Sequence, residues 1–375
     1  MKRKKIVLIG PVYPYKGGIA QYTGSMYRAL AKKYQVKMIS YSMQYPKLLF
    51  KRGQKDYTNK ECEIAGTNYW IHTANPFNWI RSARRIKRLQ PDLIILQWWH
   101  PYFSPCYWTM MKILRKIPIL VVCHNVFPHE RFPMDRKLTK MVLKQGQQFL
   151  VHSGADEADL KTILADPCYR RTVLPVTNDF KTVPITKAEA RKKLGLGEQE
   201  KVLLFFGFVR EYKGLKHLLD AMPKITEAYP DTRLLIVGDF GQDKEEYLDK
   251  IRKHKLEDFI SIYEGYIPDR EVGKYFAACD LVVLPYESAT QSGIVPIAYD
   301  FEKPVVVTNV GGLPDVVKDQ ETGFIVESKR PDLIAKAVID FYRLHKEEAF
   351  VANVRKEAYR FSWDRMVEVI ESFED

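Results

Sequence analysis

The sequence predicts two consecutive doubly wound α/β domains of similar size, and three observations carry the prediction. A chain of 375 residues, 46% hydrophobic, is long for one domain and can fill two cores. Apolar runs of strand length recur along it, each followed by a helical stripe. A proline-bearing interruption near the middle divides that alternation into two series.

The first series places strands at Lys5–Gly10, Val36–Tyr41, Asp92–Gln97, Ile119–Cys123 and Phe149–Val151. These runs are apolar throughout rather than alternating, as parallel strands covered on both faces require. Between them, Ile19, Tyr22, Met26, Ala29 and Leu30 form one helical stripe, and Ile80, Ala83, Ile86 and Leu89 another. Pro167, Pro175 and Pro184 then mark Asp166–Lys187 as irregular, with the linker proper at 176–186. This makes 1–175 the first domain and 187–361 the second. The second series places strands at Val202–Phe206, Arg233–Val237, Phe259–Tyr263, Leu281–Leu284 and Val305–Thr308, and residues 362–375 read as a last helix. Two Rossmann-like domains in tandem predict a ligand cleft between them, lined by the carboxyl ends of both sets of strands.

Composition narrows the classes. No apolar run approaches the ~18–20 residues of a spanning helix. The basic start, Lys2–Lys5, leads into an apolar stretch that stops at Gly10-Pro11, so it reads as a first strand and not a secretion signal. Five scattered cysteines without a CxxC pair fit a reducing cytoplasm. Residues 1–180 carry 30 Lys+Arg against 11 Asp+Glu, a net +19, whereas residues 181–375 carry 29 against 35, a net −6. A basic half fused to a mildly acidic one predicts that the first half meets an anionic surface. Lipid headgroups and phosphorylated acceptors both qualify; nucleic acid is disfavoured, because no nucleic-acid module motif is present. Arg81, Arg84, Arg85, Lys87 and Arg88 share one short helix with Trp79, Ile80, Ile86 and Leu89, and Lys47–Arg52 adds to them. That pattern suits shallow attachment to anionic lipid, although a solvated helix face would read the same.

Four segments carry chemistry. Gly17-Gly18 follows the first strand and opens the first helix, where backbone N–H groups can approach an anion; it is not a GxGxxG. In FFGFVREYKGL, Phe205–Leu215, a strand ends at Gly207 and Arg210 and Lys213 follow three residues apart, two cations for a departing diphosphate. In LPYESATQSGIVPIAY, Leu284–Tyr299, Ser292-Gly293 opens a helix, and Glu287, Thr290 and Gln291 could meet sugar hydroxyls. Finally His124 ends an apolar strand, and Trp98-Trp99-His100-Pro101-Tyr102 ends another; the latter could stack on an acceptor or pack in the core. There is no HExxH and no DxD, so no metal is expected.

Taken together these pieces resemble, in order and from end to end, family 4 of the retaining glycosyltransferases (glycosyl transferases group 1), enzymes of GT-B fold that include bacterial polysaccharide and glycolipid types. The resemblance rests on PVYPYKGGIAQYTGSMYRAL, PDLIILQW, PILVVCHN, LVHSGADEADL, LLFFGFVREYKGLKHLLDAMPKI, YIPDREVGKYFAACDLVVLPY, TQSGIVPIAYDFEKPVVVTNVGGLPDVV and FSWDRMVEVI. It implies that Gly17 and Gly18 face the donor diphosphate, which Arg210 and Lys213 hold and the amides of Ser292, Gly293, Ile294 and Val295 complete. It also implies that Tyr266 and Ile267 border the base, that His124 points at the transferred sugar, and that the last helix returns to the first domain. One departure stands out. The family pairs two glutamates eight positions apart, but Glu287 plus eight is Val295, and alignment on the later KPVV strand gives Ile297 or Ala298. The second glutamate is missing, which leaves the ribose contact and the role of Glu287 open.

The sequence therefore predicts a peripheral, cytoplasmic enzyme without a cofactor. It would move a sugar from a UDP- or GDP-sugar to a hydroxyl of a glycan or lipid-linked acceptor, with retention and without metal. A nucleotide-sugar epimerase of the same fold and a sugar-nucleotide-binding protein that has lost catalysis are the rival readings.

Overall fold

The computed structural model describes residues 3–46, 53–57, 60–128, 133–176, 184–241, 244–265, 267–289 and 292–373. The chain forms two compact units, one of residues 1–173 with 363–375 and one of residues 174–362.

In the first unit the chain runs β1 (Lys5–Ile9), α1 (Gly18–Ala31), β2 (Gln35–Met43), β3 (Asn68–His72), α2 (Pro76–Arg88), β4 (Leu93–Trp98) and α3 (Ser104–Leu114). It continues through β5 (Ile119–Cys123), α4 (Asp135–Leu143), β6 (Gln148–Val151), α5 (Gly154–Ile163) and β7 (Tyr169–Arg171). The seven strands lie in the order β3-β2-β1-β4-β5-β6-β7, parallel throughout. Residues of β1, β4, β5 and β6 are nearly all buried, because helices cover both faces.

The second unit runs α6 (Lys187–Leu194), β8 (Lys201–Phe206), α7 (Leu215–Ala228), β9 (Thr232–Gly238), α8 (Lys244–Lys253), β10 (Ile260–Glu264), α9 (Asp269–Ala278) and β11 (Leu281–Leu284). It closes with α10 (Ile294–Asp300), β12 (Val305–Thr308), α11 (Leu313–Val316), β13 (Gly323–Val326), α12 (Pro331–Arg343) and α13 (Glu347–Glu357). Its sheet is also parallel, in the order β10-β9-β8-β11-β12-β13. A Thr186–Glu189 capping box starts α6, and Gly195 in the left-handed region (φ +68°) stops it. The α6 residue Arg191 is buried, and its Nη2 donates to both carboxylate oxygens of Asp280 at 3.0 and 3.1 Å, tying α6 to the start of β11.

A last helix, α14 (Trp363–Glu371), belongs to the first unit. It buries Met366, Val367, Val369 and Ile370, and packs on α1. Tyr34 Oη donates to Glu371 at 2.7 Å, and Lys33 reaches the same carboxylate at 3.1 Å.

The predicted α/β class holds, with three additions. Strands β3, β7 and β13 were not expected, and β7 falls inside the stretch 166–187 read as irregular. All three lie at sheet edges, where one side needs no apolar cover. Lys47–Arg52, like His129, lies outside the described residues, as does Lys2 of the basic start. Among the described residues no helix is long and apolar enough to cross a membrane.

Candidate functional site

In each sheet the strand order reverses once, between β8 and β11 and between β1 and β4. At such a point the loops leaving neighbouring strands diverge to opposite faces and open a crevice at the carboxyl edge. Apart from Ile267, the described candidate residues of each unit lie at or one strand from its own reversal.

In the second unit the loop after β8 is drawn close to the loop after β11 by Gly214, whose φ is +66°; a Cβ there would stand 1.9 Å from the Pro285 carbonyl oxygen. This approach sets Lys213 beside Tyr286. Lys213 Nζ donates to Tyr286 Oη at 2.8 Å and sits 4.0 Å from the ring centroid. Tyr286 Oη lies 3.4 Å from Ser292 Oγ, which accepts the Ile294 N–H at 3.2 Å. Lys213, Tyr286, Ser292 and the first residue of α10 thus form one hydrogen-bonded row. Arg210 stands at the other end of the same loop. Its guanidinium donates to the Val209 carbonyl at 2.9 Å and lies so near Gly241, in the loop after β9, that a Cβ on that glycine would be 2.6 Å from Nη1. Among the described residues nothing lies within 4 Å of the Cβ position of Gly293, which leaves the approach to α10 open on their side.

Glu287 is held differently from the sequence reading. Its carboxylate accepts from His217 Nε2 at 2.9 Å and pairs with Lys216 at 2.9 Å and Lys329 at 3.0 Å. Burial alone would raise this carboxyl, but the hydrogen bonds from Lys216, Lys329 and His217 outweigh it and hold it down at about 2. It is a carboxylate already bound by three partners. Lys216, His217 and Lys329 went unnoticed in the sequence, since they come from α7 and from the turn after β13, 71, 70 and 42 positions away from Glu287. Ile267 follows β10 at the sheet edge, two strands from β8, and is not brought to the row. Tyr266, Thr290 and Gln291 lie outside the described residues.

In the first unit Gly17 (φ +104°) precedes α1 and Gly18 opens it, with nothing among the described residues within 4 Å of a Cβ at either. His124 follows β5. Its Nε2 lies 2.7 Å from Gln97 Oε1, and because that carbonyl oxygen only accepts, the ring proton sits on Nε2 and Nδ1 is left as an acceptor. Tyr22 packs edge-on against His124, His152 and Trp363 at 4.7, 5.5 and 5.0 Å. His152 Nδ1 donates to the Thr172 carbonyl at 3.0 Å, so its Nε2 accepts from Tyr22 Oη at 3.0 Å. Burial, and for His124 the neighbouring His152, lowers these imidazoles to about 3 for His124 and about 4 for His152. Both are uncharged at neutral pH. The sequence reading took Tyr22 only as part of the α1 stripe and His152 only as a structural histidine, and it did not single out Gln97.

The aromatic stretch after β4 resolves towards packing. Trp98 is fully buried, with Nε1 donating to the Val126 carbonyl at 3.2 Å, so it cannot stack on a ligand. Trp99 packs on Phe103 at 4.3 Å and donates to Tyr45 Oη at 3.0 Å. Among the described residues no group of three His, Cys, Asp or Glu side chains is placed to hold a metal ion.

Comparison with known proteins bears on the family and the fold. The family model described as "Glycosyltransferase Family 4" matches residues 16–170, and that described as "Glycosyl transferases group 1" matches residues 186–358. An uncharacterized glycosyltransferase of Methanocaldococcus jannaschii is 33% identical over 48% of this chain and 46% of its own. A D-inositol 3-phosphate glycosyltransferase of Segniliparus rotundus is 34% identical over 48% of this chain and 41% of its own. The chain thus spans less than half the length of either curated relative. In structure it is similar to a glycosyltransferase of Rickettsia africae (TM-score 0.75, 17% identity, 100% of this chain and 98% of that one). It is similar as well to HepE of Anabaena in complex with UDP-glucose (TM-score 0.72, 17% identity, 99% of each chain). Two family models met in order along the chain, on two Rossmann-like sheets of this topology, place the protein among the GT-B glycosyltransferases, with a family 4 domain ahead of a group 1 domain.

Proposed function

We propose that this protein is a retaining glycosyltransferase that moves a sugar from a nucleoside diphosphate to a hydroxyl of a lipid-linked glycan or polysaccharide intermediate, working at the cytoplasmic face of a membrane. The observation that carries the reading is the pair Arg210 and Lys213 on one short loop at the β8/β11 reversal, beside the open approach at Gly293. Two cations fixed there suit the two negative charges that grow on a departing diphosphate. The complex of HepE with UDP-glucose supports a uridine nucleotide as the first donor to try.

The same geometry favours front-face displacement. Glu287, the one carboxylate of Leu284–Tyr299, is engaged by three partners and is poorly placed to attack the sugar. The phosphate oxygen that leaves would take the acceptor's proton, and neutral His124, with Nδ1 free to accept, would orient a sugar hydroxyl. Catalysis then rests on charge stabilisation and positioning. No metal is needed, so transfer should survive EDTA.

Thermal shift against UDP, GDP and their sugars tests the reading. The correct diphosphate, at a hundred times its dissociation constant, should stabilise the protein by about 2.7 kcal/mol. If no nucleoside diphosphate raises the melting temperature, the donor site is misassigned. Transfer with inversion would refute the stereochemical part alone.

A further inference from the structure

The first unit places helices α2, α3 and α4 side by side: α3 packs against α2 on one side and α4 on the other. Each follows a strand directly, so all three start at the carboxyl edge of the sheet and run back along one face. Their outer surfaces repeat a pattern. On α2, Phe77, Arg81, Arg84 and Arg88 fall at i, i+4, i+7 and i+11, one stripe, and all four are exposed, Phe77 by 86%. On α3, exposed Trp108 leads Lys112 and Arg115 at i+4 and i+7, with Lys112 Nζ 5.6 Å from the indole ring. On α4, exposed Met134 precedes Lys137, Lys140 and Lys144. An apolar side chain stands towards the strand-end side of every helix, and cations follow along it.

Acidic residues are nearly absent from this face. Residues 76–88 and 104–116 contain no Asp or Glu, and residues 135–144 contain only Asp135, which is buried. Among the described residues none of the lysines and arginines on the three helices makes a salt bridge. The helices of the second unit differ. There Lys274 pairs with Glu271, Arg252 with Asp249, and Lys336 with Asp340, each within one turn. Cations that merely complement helix dipoles would explain neither this lack of ion pairs nor exposed Phe77 at the opposite end of α2 and exposed Trp108 in the first half of α3.

We propose that the α2–α3–α4 face docks on an anionic bilayer, its cations on lipid phosphates and Phe77 and Trp108 in the interfacial layer. A flat plate of unpaired cations edged with aromatic side chains matches a headgroup surface in charge and in polarity. The apolar edge lies on the side of the strand ends, where Gly17 and His124 stand, so docking brings the acceptor half of the site towards the lipid. This deepens the lipid-linked reading above and rests on it for its purpose, but its test reads binding and not transfer.

The full-length protein is floated with neutral phosphatidylcholine vesicles and with vesicles that also contain phosphatidylglycerol, at low and high salt. Partition to the anionic vesicles alone is expected, weakening with salt. Each cation removed should cost about fivefold, so Arg81→Ser/Arg84→Ser/Arg88→Ser lowers partition by roughly a hundredfold. Lys112→Ser/Arg115→Ser/Lys116→Ser should act in the same way, and Phe77→Ser/Trp108→Ser should weaken binding with the charge unchanged. Lys224→Ser/Lys253→Ser/Lys356→Ser in the second unit removes equal charge and should bind as wild type. Circular dichroism confirms that each variant is folded. Equal flotation with neutral vesicles, wild-type binding by both helix variants, or tight association with duplex DNA in place of vesicles would each overturn the proposal. An enzyme that transfers sugar to a soluble acceptor yet fails to float would overturn this surface and leave the transferase reading intact.

Discussion

Arg210 and Lys213 divide one task at two ends of a loop, and their environments fix what their loss should do. Neither side chain fills the core: Arg210 leans on Gly241 and Lys213 on the Tyr286 ring. Arg210→Ala or Lys213→Ala should therefore leave melting nearly unchanged while turnover falls roughly 10²–10³-fold, the size seen when a contact to developing charge is removed. Near wild-type turnover in both variants, measured with the true donor, would count against the assignment. Glu287 predicts the reverse balance. Its carboxyl sits at about 2 when folded against an ordinary 4.5, so the folded state gains from its ionisation above pH 4.5 and loses that gain as pH falls towards 2. Glu287→Gln should destabilise by roughly 3 kcal/mol at pH 7 and by little at pH 2. Urea melts across that range check it; a cost independent of pH would mean the three partners do not bind this group as described. Here the sequence was informative only in part. Arg210 and Lys213 share an eleven-residue motif and could be seen together, whereas the partners of Glu287 meet it only after three strands have been laid in register.

At the scale of elements, what was legible follows from where each strand lies. Ile119–Cys123 and Leu281–Leu284 were placed to the residue, because a strand flanked on both sides and covered on both faces must be apolar at every position. The three overlooked strands are edge strands. Asn68–His72 has polar residues at both ends, Tyr169–Arg171 is three residues long and ends in two arginines, and Gly323–Val326 opens on a glycine. Edges relax the demand for continuous apolar sequence, and with it the signal. Loops carry their own constraint. Gly214→Ala would put a methyl group 1.9 Å from the Pro285 oxygen in a left-handed backbone, whereas Gly195, at φ +68°, has nothing within 4 Å of its Cβ position. Gly195→Ala should cost only the conformational strain of about 1–2 kcal/mol. Gly214→Ala should cost more and also lower turnover, since it forces the β8 and β11 loops apart and moves Lys213 off Tyr286. Equal melting temperatures for the two variants would contradict the packing.

For the whole molecule, the charge asymmetry of +19 against −6 was readable from the first residue to the last, but not how it is laid out. Sequence alone pointed to a single basic helix; the fold adds α3 and α4 beside it. The division into units adds something else. The first unit is built from two separate stretches, 1–173 and 363–375. Its helix α14 buries four apolar side chains, and burying each is worth about 1.5–3 kcal/mol, which together rivals the whole stability of a domain. A chain stopped at Ser362 should lose the melting transition of the first unit and keep that of the second. Calorimetry showing both transitions intact would refute this.

Trp363 gives that division a consequence in time. Its ring lies 5.0 Å from Tyr22, in the same aromatic group as His124 and His152. A ribosome makes Tyr22 before the second unit and Trp363 after the whole of it. The half of the protein that is born first therefore waits longest for its missing piece, and for that interval its α1 surface and its histidine pair stand uncovered. During synthesis the second unit can complete itself before the first, so nascent chains should be guarded, by a chaperone or by slow emergence, over the first unit and not over the second.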